Sequence, residues 1–213
     1  MIVHDCDQGT REWSRVRLGI PTSSRFNDIL TPKTLKPAKG DAYLYELLAA
    51  WALGATISDG GSKWMERGTE LEAEARRAYQ WETGSTVTEV GFVTDDEGRY
   101  GSSPDGLVDD DGLLEIKSPA AKQHIAYLLD PDLLVETYRG QVQGQIYVTG
   151  RKWCDLYSCH YQDRPDLDEL PSVRVRVEPD PAWVEAFEPA LSAFLDRLEA
   201  GKAALREKGV GSD

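Results

Sequence analysis

The segment Gly101-Ser-Ser-Pro-Asp-Gly-Leu-Val-Asp-Asp-Asp-Gly-Leu-Leu-Glu-Ile-Lys117 constrains the chain most. Asp105 lies ten residues before the tripeptide Glu115-Ile116-Lys117. On a β-strand Glu115 and Lys117 share one face and Ile116 points to the other, into a core. Asp109-Asp110-Asp111-Gly112 is turn chemistry and predicts a hairpin tip between strands at 106–109 and 113–117. Such a hairpin returns Asp105 beside Glu115, so two carboxylates and an ammonium converge. Hard cations such as Mg²⁺ take carboxylate oxygens, and phosphodiester hydrolysis uses such a cation beside a base or charge stabiliser. By itself the pattern also fits an exposed strand with a solvated ion pair, worth under about 1 kcal/mol. The rest of the chain has to decide.

With 213 residues, 40% of them hydrophobic and 29% charged, the chain is expected to form one globular domain over 1–213, with a flexible tail at about 207–213. Met1-Ile-Val-His-Asp-Cys-Asp7 lacks the basic start and apolar run of a signal peptide, and no apolar run approaches membrane-spanning length. Cys6, Cys154 and Cys159 provide no disulfide framework, and with three histidines they make no zinc pattern. A reducing cytoplasm is the expected compartment. The net charge of −13 argues against a protein that coats nucleic acid by bulk charge, though not against one with a local basic groove. Arg11, Arg15, Arg17, Arg25, Lys33, Lys36 and Lys39 supply candidates for such a groove.

The periodicity predicts helices at 10–18, from Thr22-Ser23-Ser24 to before Pro32, at Ala42–Leu53 with Asp41 as its cap, and at 64–82. The third has apolar residues nearly all round and is expected to be buried. Strands follow at 86–93 and 99–103 around the turn Asp95-Asp96-Glu97-Gly98, then the hairpin. Helices are predicted at 120–129 and 135–149, strands at Trp153–Tyr161 and Val173–Val177, and a C-terminal helix from Asp180-Pro181 that Pro189 should kink or interrupt. The order predicts an α/β fold, a central mixed sheet flanked by helices with the charged motif on central strands.

Two helices carry further candidates. Glu72 borders the apolar stripe Leu71, Ala75, Ala78 and Tyr79, so it can turn inward to a metal. Tyr138, Gln141 and Gln145 share a face beside the core residues Val142 and Ile146. Neutral donors there can orient a water or a phosphate oxygen without competing for a cation.

These pieces resemble, in collinear order over about residues 10–200, the λ-exonuclease-like (YqaJ) viral recombinases, a branch of the PD-(D/E)xK nuclease superfamily. The resemblance is carried by Trp13-Ser-Arg-Val-Arg-Leu-Gly-Ile-Pro-Thr-Ser-Ser24, Gly68-Thr-Glu-Leu-Glu72, Ser103-Pro-Asp-Gly-Leu107, Leu114-Glu-Ile-Lys-Ser-Pro119 and Tyr138-x-x-Gln141-Val-Gln143. It implies a restriction-endonuclease-like core. It implies that Asp105, Glu115, the Ile116 carbonyl and Glu72 hold Mg²⁺, with Mn²⁺ able to substitute. Lys117 would orient the attacking water or offset charge on the phosphate, and Gln141 and Tyr138 would complete the site. Arg17, Ser24 and Ser103 would grip a 5′-phosphate, for which an arginine fork and a helix N-terminus are suited. Met65 falls where the family's namesake carries an apolar wedge that opens the duplex; packing in a core is the other reading of that residue. Where the namesake has a further phosphate-contacting arginine, this chain has Lys122, a point charge without a fork. The iron–sulfur relatives need four cysteines and are excluded by three.

The implied activity is a 5′-to-3′ exonuclease on double-stranded DNA ends that leaves a 3′ single strand for a single-strand annealing protein. The implied setting is phage or prophage recombination in a bacterial cytoplasm, with a homotrimeric ring around the DNA. The alternatives are a metal-dependent endonuclease on the same fold and a non-catalytic scaffold that binds DNA ends.

Overall fold

The computed structural model describes residues 1–57, 62–160 and 170–211, and over 62–70 the backbone alone. Met65 therefore lies outside the described side chains, and Tyr161 outside the described residues.

A five-stranded mixed sheet runs β2 (Val87–Thr88), β5 (Gly106–Val108), β6 (Gly112–Lys117), β7 (Trp153–Ser158) and β8 (Val173–Val177). A second sheet joins β1 (Ile2–His4), β3 (Phe92–Thr94) and β4 (Gly101–Ser102). β5 and β6 form the expected antiparallel hairpin, with Gly106 opposite Leu114. At its tip Asp109 takes φ 44°, a left-handed conformation that aspartate tolerates. Asp109 also anchors the turn, since its backbone N–H donates to the Thr86 carbonyl and its Oδ1 accepts from the Thr86 N–H, both at 2.9 Å.

β6 and β7 are parallel, which demands a crossover. Helices α4 (Ala121–Leu129) and α5 (Pro131–Thr149) supply it. Pro131 fits the first turn of α5, where its missing N–H costs nothing. On one face of the sheet α4 and α5 bury Tyr127, Leu134, Val142 and Ile146 against Leu113, Cys154 and Leu156. On the other, α3 (Ser62–Thr83) lays Ala75 and Tyr79 on Val108, Leu114 and Ile116. A third cluster packs α2 (Asp41–Leu53) and α6 (Pro181–Arg206) around Phe26, Tyr43, Trp183, Phe187 and Phe194.

Several expectations are corrected. The segment at 10–18 is the shorter α1 (Arg11–Val16). Ser23–Asp28 is a 3-10 helix, not an α-helix reaching Pro32, and Thr22 makes no side-chain cap. The predicted strand 86–93 is two strands in two sheets. They part at Gly91, where a Cβ would stand 1.8 Å from the Cys6 carbonyl oxygen, so β1's loop and this backbone touch directly. β1 has no counterpart in the sequence reading. Asp41 opens α2 but does not cap it; Gly40 takes that place and Asp41 pairs with Arg197. Nor is α2 buried all round, since Tyr45 is 66% and Leu53 72% exposed. Helix α6 runs on through Pro189, which is on its exposed side, where solvent can satisfy the carbonyl that proline leaves unpaired.

Candidate active site

The hairpin delivers the three charged residues as the spacing predicted. Asp105 stands just before β5, with its backbone N–H donating to the Leu114 carbonyl at 3.1 Å. One of its carboxylate oxygens accepts the Ile116 N–H at 2.6 Å. Ile116 itself turns into the α3 core. Glu115 and Lys117 share the opposite face and form an ion pair.

Glu115 is 2% exposed. A buried carboxylate survives only with donors around it, and α5 provides two. Gln141 donates to Oε1 and Gln145 to Oε2, while Lys117 also donates to Oε1. The Gln141 side-chain oxygen Oε1 accepts from Lys117 at 3.1 Å, so the lysine is held from two sides. Its Nζ lies 4.6 Å from the centre of the Tyr138 ring. Burial alone would lower Lys117, but the charges of Glu115 and Asp105 override it and raise its pKa. Burial pushes the Tyr138 hydroxyl up to about 12.

Glu72 approaches from α3, the other layer. Burial raises its carboxyl; Arg76 opposes this and Glu115 adds to it. Asp105 is raised well above the ordinary carboxylate range, first by burial, then by the charges of Glu115 and Glu72. Mutual repulsion of this kind is what a cation would relieve. Glu72, Asp105, Glu115, Ile116 and Lys117 all line one cleft of 890 Å³. Among the described residues, no three His, Cys, Asp or Glu side chains stand close enough together to hold a cation as a group. The cleft's remaining wall includes Asp5, Asp7, Trp13 and Arg76.

Arg17 and Ser103 meet at Trp13. The Arg17 guanidinium lies 3.7 Å above the indole ring, and the indole N–H donates to the Ser103 hydroxyl at 2.9 Å. Arg17 Nε is buried without a hydrogen-bond partner, and burial lowers its pKa to about 10. Ser24 lines a second cleft with Arg17, Trp13, Thr22 and Arg25, so Trp13 is a wall common to both clefts. Ser24 stands in a short 3-10 helix, which removes the α-helix N-terminus expected to strengthen an anion site there. Lys122 is exposed on α4 and lines neither cleft.

Helical spacing puts Gln145 on the face of Gln141 among the candidate donors, but its bond to Glu115 is visible only in the fold. Arg76 has no place in the sequence reading, although a glutamate four residues before an arginine on a helix signals a pair. Cys6, Cys154 and Cys159 form no disulfide with one another.

No match is found among curated proteins. The model of the YqaJ-like viral recombinase domain matches residues 12–152. Two solved structures of the alkaline exonuclease LHK-Exo from Laribacter hongkongensis are similar over 94% of this chain and 98% of theirs. One, in complex with dAMP, is 40% identical with a TM-score of 0.78. The other is 38% identical with a TM-score of 0.76. A phage-related exonuclease from Haemophilus somnus 129PT shares the fold at 14% identity, with a TM-score of 0.68 over 85% of this chain and 95% of that one. With its hairpin-borne carboxylates on a mixed sheet of the PD-(D/E)xK type, the chain belongs to the YqaJ-like viral recombinase family.

Proposed function

We propose that this protein is a Mg²⁺-dependent exonuclease that acts on double-stranded DNA ends, degrades the 5′-ended strand and leaves a 3′ single strand for a single-strand annealing protein. One observation carries the reading: Asp105, Glu115 and Lys117 converge on one hairpin in a cleft that Glu72 also lines. The likeness to LHK-Exo supports exonuclease chemistry. That relative's complex with dAMP fits stepwise release of nucleoside monophosphates.

The donor atoms suit a hard cation, with Asp105 and Glu115 as its first ligands and Glu72 acting directly or through water, since no three such side chains already stand as a group among the described residues. Every candidate ligand is oxygen: the carboxylates of Asp105, Glu115 and Glu72, and the Ile116 carbonyl. The crowded charge that raises Asp105 would be relieved by one. Mg²⁺, or Mn²⁺ in its place, would acidify a water and offset charge on the phosphate. Lys117, steered by Glu115, Gln141 and Tyr138, would stabilise negative charge as it grows on the reacting phosphate. Arg17, Ser103 and Ser24 would seat a terminal 5′-phosphate. The desolvated guanidinium of Arg17, whose Nε has no hydrogen-bond partner among the described residues, favours an anion. We further propose a homotrimeric ring around the DNA, with the protein working in a bacterial cytoplasm. Among the described residues no helix is long and apolar enough to cross a membrane.

The test compares labelled linear duplexes carrying 5′-phosphate or 5′-hydroxyl ends with covalently closed circles, each with Mg²⁺ or with chelator. Linear duplex should disappear from its 5′ ends only with metal, faster when phosphorylated, and circles should survive. Cutting of circles would make the protein an endonuclease, and binding of ends without turnover would make it a scaffold.

A further inference from the structure

Arg76 touches three separate parts of the site. Its Nη2 donates to Glu72, one turn earlier on α3, at 2.7 Å. Its Nε donates to the backbone carbonyl of Asp105 at 3.1 Å. Its Nη1 pairs with Glu89, in the segment between β2 and β3, at 2.6 Å. The side chain is 11% exposed, against 29% for Glu72 and 75% for Glu89. All three guanidinium nitrogens are thus engaged by protein oxygens. A planar fork with fixed donor directions sets the relative positions of what it binds, as a lysine could not.

The partners matter because Glu72 and Asp105 come from different layers. Glu72 rides on α3, while Asp105 precedes β5 in the sheet beneath. The charge of Glu72 is among those that raise Asp105, so apart from Arg76 what links the two is repulsive. Lys117 performs the matching task for Glu115. Arg76 is the cation assigned to Glu72, and through the Asp105 carbonyl it also fixes the chain that carries the second carboxylate.

We infer that Arg76 is a positioning residue that sets the geometry between Glu72 and Asp105 for cation binding, and that it does not itself grip DNA. The inference rests on the cation site proposed above. Glu89, exposed and lining the same cleft, holds the third guanidinium nitrogen.

The experiment measures Mn²⁺ binding to the DNA-free protein by electron paramagnetic resonance, alongside Mg²⁺-dependent digestion and duplex affinity in chelator. The variants are Arg76→Lys, Glu89→Gln, Glu72→Gln and the double Arg76→Lys/Glu72→Gln. Arg76→Lys should weaken Mn²⁺ binding and raise the Mg²⁺ needed for half-maximal rate by about tenfold or more, the scale for groups that orient metal ligands. Duplex affinity in chelator should stay within about twofold. Adding Glu72→Gln should cost little more, since both changes act on one unit. Glu89→Gln, on an exposed side chain that leaves the fold intact, should shift metal binding in the same direction and by less. Normal Mn²⁺ binding in a folded Arg76→Lys or Glu89→Gln protein would overturn the inference, as would lost duplex affinity in chelator with normal metal binding. If Glu72→Gln also leaves Mn²⁺ binding unchanged, the cation site itself is misassigned; if Glu72→Gln weakens it and Arg76→Lys does not, the inference about Arg76 fails alone.

Discussion

Glu115 is a carboxylate that water cannot solvate, and an ion at that depth left unpaired costs several kcal/mol. Gln141, Gln145 and Lys117 take over water's part. Gln145 is fully buried, donates to one Glu115 oxygen and accepts from the Cys154 thiol at 3.7 Å, so Gln145→Ala removes the second donor to Glu115 together with that weak thiol contact. Turnover should fall about 10- to 100-fold, as when a group that orients a metal ligand is lost, with duplex affinity in chelator unchanged; an unaltered rate would show that Gln145 only fills space. Asp105→Ala should abolish digestion with an unchanged circular dichroism spectrum, because it removes a charged oxygen and a single acceptor of the Ile116 N–H. Turnover near that of the unmodified protein would remove Asp105 from the site. At this scale the sequence was most legible where periodicity alone decides direction. The alternation of Glu115, Ile116 and Lys117 requires a strand and nothing else. Arg76 escaped notice because its three partners lie 4, 13 and 29 positions away, and only the assembled fold brings the last two near.

Elements meet through contacts that composition does not advertise. The 3-10 helix Ser23–Asp28 packs on α5 at Gly144, where a Cβ would stand 2.4 Å from Phe26 Cδ2 and 3.1 Å from Ser23 Cβ. Gly144→Ala should therefore destabilise by about 1–3 kcal/mol, the usual cost of overpacking, against the slight gain alanine brings to an exposed helix; urea unfolding measures it, and a more stable protein would contradict the contact. Asp155 ties β7 to β8 and to α3. It is fully buried and accepts from Tyr79 at 2.8 Å, from Arg176 at 2.8 Å and from Arg174 at 3.2 Å. Burial opposes its ionisation, but the donors from Arg176 and Tyr79 prevail and hold its pKa below the ordinary carboxylate value. The unfolded chain thus binds this proton more readily. Its contribution is complete above the ordinary carboxylate range and is lost as pH falls through that range to the lower folded value. Asp155→Asn should flatten that acid limb of the stability curve in urea titrations at stepped pH; an identical limb would mean other carboxylates govern it. Helices and the hairpin were legible because their periods are local. The split of 86–93 was not, since it depends on Cys6 pressing against Gly91, and the 3-10 helix was not, since it depends on close approach to α5.

For the whole molecule, net charge is the problem to solve. On the proposed function, a chain with 37 acidic and 24 basic residues would have to approach a polymer bearing one negative charge about every 1.7 Å of duplex. Bulk attraction is absent, so contact has to be concentrated where acids are few. A closed ring meets that condition, because basic residues can line its channel while the acidic exterior repels DNA from unproductive surfaces. It also changes kinetics, since a subunit held around the strand need not rebind after each cleavage. The proposed ring and the repeated digestion it would allow should accordingly fail together. Light scattering over a dilution series gives the assembly state, and digestion of long duplex with excess unlabelled trap added after loading gives the run length per encounter. Long runs are expected while the oligomer persists, with run length collapsing as it dissociates, although single cleavages at an end continue because the Asp105–Glu115–Lys117 set lies within one chain. A protein that is monomeric at every concentration yet digests through the trap would overturn the ring and return the charge problem to a local groove on a single subunit.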